Sequence, residues 1–243
     1  YYMYITPSIY QPGALKSMKL GGNSNFGAST DVGAGFKWET EGGFGIASGI
    51  VDKNADSSGL LGKASVRKWD TQIAFTKPQY HVSLTLSDAQ NWTSQSYNAT
   101  TLGAGMKGSD GDTTGYALRA YWRPLETGSA TPEVSVGYDT KTADTPAATA
   151  AKEADSYFVG LTWRDMFQSD DRIGFAVTQP LKVTALEGGG ATGEVDPLVW
   201  ELYYAFKPND SMEVRPAIFG GSDVEDSTAD DIFGAVVTTS FKF

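Results

Sequence analysis

The chain has no cysteine and a single histidine, His81. Without a thiol there is no disulfide framework, no thiolate metal centre and no cysteine nucleophile. One histidine leaves little room for a hydrolase, since a serine or acid nucleophile needs an imidazole partner; His81 lies in an alternating segment beside Ser83 and Thr85 with no such arrangement. A glycosidase needs two carboxylates at a defined gap, and none of the many carboxylates is singled out as a pair. Basic residues are outnumbered, 19 Lys and Arg against 29 Asp and Glu, and the net charge of −10 argues against a nucleic-acid partner. No run approaches the roughly 20 apolar residues that a membrane helix requires. That absence does not extend to membrane strands, whose lipid-facing residues come only at every second position. No signal peptide is visible, and the start at Tyr1 without Met is read as a processed or truncated chain.

What the chain has is glycine and aromatics: 28 Gly, 6 Trp, 12 Tyr and 12 Phe among 243 residues. These are residues of strands, turns and interfaces rather than of helices. The last twelve residues alternate strictly, with Phe233, Ala235, Val237, Thr239, Phe241 and Phe243 on one face and Gly234, Val236, Thr238, Ser240 and Lys242 on the other. About twelve such segments lie between clusters of turn residues. They fall near residues 1–10, 28–40, 43–53, 66–76, 79–89, 113–124, 132–142, 155–165, 171–180, 197–207, 211–221 and 232–243. Most have the 9 to 11 residues of a tilted membrane strand.

The connectors alternate in length. Short ones are Glu41 to Gly43, Lys77-Pro78, Glu126 to Thr131, Met166 to Asp170 and Lys207 to Asp210; long ones are 11–27, 54–65, 90–112, 143–154, 181–196 and 222–231. An outer-membrane barrel has short turns at its periplasmic end and long loops outside, and this count places Phe243 at the periplasmic end.

The faces sort in the same way. Phe36, Trp38, Ile73, Val82, Leu84, Leu86, Leu118, Val136, Val159, Leu161, Phe175, Leu202 and Ile218 share an outward face that carries no charge. The opposite face holds Lys37, Lys68, Asp70, Arg119, Arg123, Glu133, Asp139, Arg164, Arg172, Glu201, Lys207, Glu213, Arg215 and Lys242. A basic side chain facing lipid at mid-depth costs about 2–4 kcal/mol, so a bilayer imposes this one-sided exclusion. Trp38, Trp122 and Trp163 lie near the short turns, and Trp69 and Trp200 near the long loops; with the terminal Phe243 they form an aromatic girdle at two levels. The fold expected is all-β, a transmembrane antiparallel up-and-down β-barrel over residues 1–243 with about twelve visible strands. The alternative, a soluble lectin-like β-sandwich, shares the alternation but places its Trp in mid-strand.

Five stretches carry a family resemblance: Tyr116-Ala-Leu-Arg-Ala-Tyr-Trp-Arg-Pro; Ser156-Tyr-Phe-Val-Gly-Leu-Thr-Trp-Arg-Asp-Met-Phe; Asp171-Arg-Ile-Gly-Phe-Ala with Gln179-Pro180; Trp200-Glu-Leu-Tyr-Tyr-Ala-Phe-Lys-Pro-Asn-Asp; and Glu213-Val-Arg-Pro-Ala-Ile-Phe-Gly-Gly. In this order, and with the terminus, they resemble the cyanobacterial outer-membrane porins of the carbohydrate-selective porin superfamily, the iron uptake type. The resemblance implies a homotrimeric channel for inorganic ions and small hydrophilic solutes, iron among them, with no cofactor and no enzymatic activity. It implies a barrel of about 14 to 16 strands, more than the twelve visible, so N-terminal strands are expected to be missing. It also implies a preceding S-layer-homology domain and coiled coil that hold the cell wall, neither of which is in this sequence. Residues 11–27, with Pro12, Lys16, Met18 and Lys19, are then either a constriction loop folded into the lumen or an ordinary surface loop.

The fourteen charged residues of the polar face are the candidate pore lining, with Arg119, Arg123, Arg164 and Arg215 foremost. A basic wall favours anions, and acidic mouths such as Asp223 to Asp231 concentrate cations. The same charges also suit cross-strand pairing, for example Arg119 or Arg123 with Glu133, or Glu201 with Arg215. The acidic loop lacks the order of a calcium-binding loop, and no metal site is assigned. A plugged barrel serving structure, adhesion or phage attachment is the rival to a channel.

Overall fold

A computed structural model describes residues 32–52, 55–59, 62–91, 112–144, 151–192, 196, 198–223 and 231–242. Eleven antiparallel strands follow one another in chain order: β1 (Val32–Glu39), β2 (Phe44–Asp52), β3 (Arg67–Thr76), β4 (Tyr80–Gln90), β5 (Asp112–Trp122), β6 (Glu133–Asp144), β7 (Ala151–Arg164), β8 (Arg172–Leu186), β9 (Leu198–Asn209), β10 (Met212–Ser222) and β11 (Ile232–Phe241). One helical turn, α1 (Ala55–Ser58), lies between β2 and β3. Each strand pairs with its sequence neighbours in a single sheet, and β1 and β11 are its two edges. Among the described residues the sheet is not closed. The strand expected near residues 1–10, the candidate constriction residues Pro12, Lys16, Met18 and Lys19, and the terminal Phe243 lie outside the described residues.

One sheet in meander order excludes the two-layered sandwich, and burial shows why. Along β4, Ser83 is 2 % exposed and Leu84 40 %. His81, Ser83, Thr85, Ser87 and Ala89 are buried, while Tyr80, Val82, Leu84, Leu86 and Asp88 are exposed. A sheet in water hides its apolar face. This one hides its polar face and presents Ile73, Leu84, Leu118, Val136, Val159, Leu202 and Ile218 outward, the polarity of a sheet whose outer solvent is lipid. Charged residues on outward registers, among them Arg67, Asp88, Asp112 and Glu153, sit at the long-loop ends, beyond the apolar band.

Two boundaries differ from the sequence reading. The expected loop over 143–154 is shortened because β6 runs to Asp144 and β7 begins at Ala151; the loop over 181–196 is shortened because β8 continues to Leu186. Pro180 reads as a strand terminator because it has no N–H to donate. The strand passes through it instead by shifting register, between Asp155 and Tyr157 on the partner strand. Lys152 with Glu187, and Lys182 with Asp196, tie this extension together.

The short turns are built tightly. Gly43 has φ +93°, and a Cβ there would collide with the carbonyl oxygen of Thr76, so glycine is required where this turn meets β3. The turn after β7 is organised by Asp171. Its carboxylate, fully buried, accepts from the amides of Met166 at 2.8 Å, Phe167 at 2.9 Å and Gln168 at 3.0 Å, and from the Tyr204 hydroxyl at 2.9 Å. Burial pushes this carboxyl up, but the amide and hydroxyl donors outweigh it and hold it below its ordinary value. A depressed folded pKa stabilises above the unfolded value near 4 and loses that contribution as pH falls through the folded value. Asp171→Asn is therefore expected to cost about 1–3 kcal/mol at pH 7. Urea titrations of both forms at pH 7 and pH 3 check this, with the gap between them closing in acid.

Candidate functional site

Twelve of the fourteen candidate lining residues fall on the inward registers of their strands, and Arg123 and Lys242 come directly after β5 and β11. The alternation is local, and ten interstrand registers carry it around the sheet; Lys68 faces Ala89, which faces Thr113, which faces Ala143. The structure also decides what surrounds each charge, and the result is pairing rather than a bare basic wall.

Arg119 on β5 stands opposite Gly137 on β6. The ring of Phe158 fills the space over Gly137, and the guanidinium crosses diagonally to Asp139, 2.5 and 2.6 Å from its two carboxylate oxygens. The same guanidinium donates to the carbonyls of Leu118 and Tyr138 and lies 5.4 Å from the centre of the Phe158 ring. Arg119 is 4 % exposed and Asp139 3 %. A pair so enclosed is a strut of the wall, not a surface for passing ions.

Nearer the short turns, Glu133 takes two arginines, Arg123 at 3.5 Å and Arg164 at 3.0 Å. Glu213 likewise takes Arg172 at 2.6 Å and Arg215 at 2.9 Å. Arg172 reaches Glu213 across β9, where its register partner is the small, buried Ala205. Of the expected pairs, Arg123 with Glu133 forms. Arg119 instead takes Asp139, and Arg215 takes Glu213 of its own strand in place of Glu201. Lys68 reaches Asp70 at 3.7 Å, Lys37 reaches Glu39 at 2.5 Å and Lys207 reaches Asp170 at 3.4 Å. Lys242 follows β11, and its amide donates to Ser211.

Inward aromatics are the residues of this face that the sequence reading passes over. Tyr121 lies 4.4 Å under Arg123, and Tyr203 lies 5.5 Å under Arg215. Tyr121 also stacks on His81 at 5.5 Å, and His81 shares a 2.7 Å hydrogen bond with Thr76. Their signal was phase: Tyr121 alternates with Arg119 and Arg123, and Tyr203 with Glu201, so both belong to the charged face.

On the outward face, Trp38, Trp69 and Trp122 are exposed. Trp163 and Trp200 are half-buried, Trp163 donating to the Ala130 carbonyl at 2.9 Å and Trp200 packing 6.2 Å from Phe233. Trp69 donates to Ser48 at 2.7 Å. Among the described residues no cluster of His, Asp and Glu is arranged to hold a metal ion; residues 224–230 of the acidic loop lie outside them.

The sheet superposes on solved outer-membrane proteins. Against Salmonella typhi OmpF in complex with daunomycin the TM-score is 0.54 at 14 % identity, covering 82 % of this chain and 56 % of that one. Against OmpT of Vibrio cholerae, an outer membrane protein folded in vitro and in its trimer form, it is 0.55 at 11 % identity, covering 98 % and 69 %. The fold is that of an outer-membrane β-barrel. This chain spans little more than half of the OmpF chain. No protein-family model matches the sequence, and no curated protein matches it at a significant level.

Proposed function

We propose that this chain is the barrel portion of an outer-membrane porin, a passive diffusion channel for inorganic ions and small hydrophilic solutes. The observation that carries the reading is the polarity of the sheet, which shows apolar residues outward and buries polar residues such as Ser83, Thr85, Arg119 and Asp139 on its other face. The fold likeness to two outer-membrane proteins supports it, and the trimer form of one of them supports a homotrimer. The resemblance to the carbohydrate-selective porins narrows the reading to that superfamily, with iron among the solutes and an upstream domain on the cell wall. The protein acts without enzymatic chemistry: His81 pairs with Thr76 and stacks on Tyr121, an arrangement that holds a wall together.

Passage would follow the more open part of the inward face. Arg164 and Arg172 have side chains 45 % and 36 % exposed, against 5 % for Arg119. One observation favours the rival plugged barrel: Lys68, His81, Arg119, Asp139 and Lys141 are all nearly fully buried, whereas a wide aqueous lumen would wet them. Planar-bilayer recording separates the two. The channel reading expects discrete conductance steps, and a reversal potential that moves toward cation preference in Arg164→Ala. No conductance at any voltage would sink it in favour of the plugged barrel.

A further inference from the structure

Four guanidiniums, those of Arg123, Arg164, Arg172 and Arg215, share only two carboxylates, Glu133 and Glu213. Each carboxylate is thus shared by two guanidiniums, and the further inward carboxylate, Glu201, adds its charge on the Arg215 side rather than between β7 and β8. Register sets two of the guanidiniums opposite each other: Arg164 on β7 and Arg172 on β8 are direct partners across the ladder. Like charges directly opposite on a sheet destabilise it unless an anion joins them. The two glutamates do not do so. Glu133 draws Arg164 from the β6 side, and Glu213 draws Arg172 from the far side of β9. Each guanidinium gives one Nη–H to its own glutamate, and among the described residues no carboxylate bridges the two.

The surroundings suit a ligand more than bulk water. Along the ladder the next inward partners are Thr162 and Gly174, and the ring of Tyr203 lies against Gly174 so closely that a Cβ there would collide with it. Tyr203 in turn carries Arg215 on its face. The Nε–H groups of Arg172 and Arg215 are buried without a hydrogen-bond partner among the described residues, and a buried donor left open needs an acceptor. Among the described residues, the other basic group beside the turn, Lys207, is taken up by Asp170.

We infer that Arg164 and Arg172 form an oxyanion site on the channel wall, which takes a tetrahedral anion of the phosphate class, free or as the phosphate end of a small solute. The guanidinium fork fits two oxygens of such an anion at once, which an ammonium group does not. Arg123 and Arg215, held by the same glutamates, extend the positive field to either side and draw anions toward the pair. The inference rests on the channel reading for its biological sense, although the binding itself does not need conduction.

The test uses the full chain, refolded in detergent and checked by heat-modified gel mobility, with inorganic phosphate as the probe in isothermal titration against a chloride background. Binding to the parent chain is expected, weakened about tenfold or more in Arg164→Gln and in Arg172→Gln, as follows from losing one charge-assisted fork. Arg164→Lys keeps the charge and loses the fork, and should also bind several-fold more weakly; if Arg172→Gln does not fold, Arg172→Lys replaces it. No phosphate binding by the parent chain, or lysine variants that bind as tightly as the parent, overturns the site in favour of a diffuse field. Conductance of the same preparations separates the two readings. A chain that conducts without binding phosphate sinks the site alone, and one that binds phosphate without conducting sinks the channel alone.

Discussion

Replacing Arg119 with leucine should cost about 3–5 kcal/mol of folding stability, the largest effect expected of any single change in the wall. The reason is what the substitution leaves behind. Asp139 is buried against this guanidinium, and the substitution leaves its carboxyl without its cation in a place where water cannot reach it. The carbonyls of Leu118 and Tyr138 lose a donor at the same time. The double variant Arg119→Met with Asp139→Leu removes both charges, and should recover most of the loss, because desolvating an ion pair offsets much of its attraction. Equilibrium urea unfolding in phospholipid vesicles measures both. A single variant as stable as the parent would mean that the pair is open to water, and the wall would have to be redrawn there.

Leu84→Arg should cost about 2–4 kcal/mol in a bilayer, although Leu84 is one of the exposed residues of the chain. In a water-soluble sheet the same change at a surface position would fall within about 0.5 kcal/mol of neutral. The prediction therefore tests the environment rather than the packing. Leu84 lies mid-strand, between Ile73 on β3 and Leu118 on β5, both exposed and apolar. Three outward leucine-sized side chains abreast leave an arginine with no polar neighbour and a long way to snorkel. The companion variant Asp88→Arg sits on the same face at the long-loop end, beside Trp69, and should be tolerated. Equal costs at the two positions would remove the apolar band from the account.

Much of this was legible beforehand for a local reason. A strand puts successive side chains on opposite faces, so the phase of Leu84 against Ser83 needs no knowledge of the fold. Eleven of the expected strands appear within a few residues of where alternation and turn residues put them. Long strands β7 and β8 were the exception, since Pro180 carries the signal of an ending whether or not the ladder can shift around it. Asp171 was equally silent. Nothing in the sequence separates it from Asp170, yet it alone gathers three amides and a tyrosine hydroxyl because the turn folds back over it.

By itself the sequence determined which residues share a face, where the eleven described strands run and which ends carry short turns, because each is a property of neighbouring residues. Only the tertiary structure decided which charges meet. Arg119 finds Asp139 rather than Glu133 because register puts Asp139 next along the inward face from its partner Gly137 and Glu133 further off, and Arg172 finds Glu213 two strands away because Ala205 is small. Partners across a sheet depend on register, and on the size of the side chain that stands between them. That Arg164 and Arg172 stand opposite each other yet pair with different glutamates is the outcome of that matching, which no reading of the residues in order reveals.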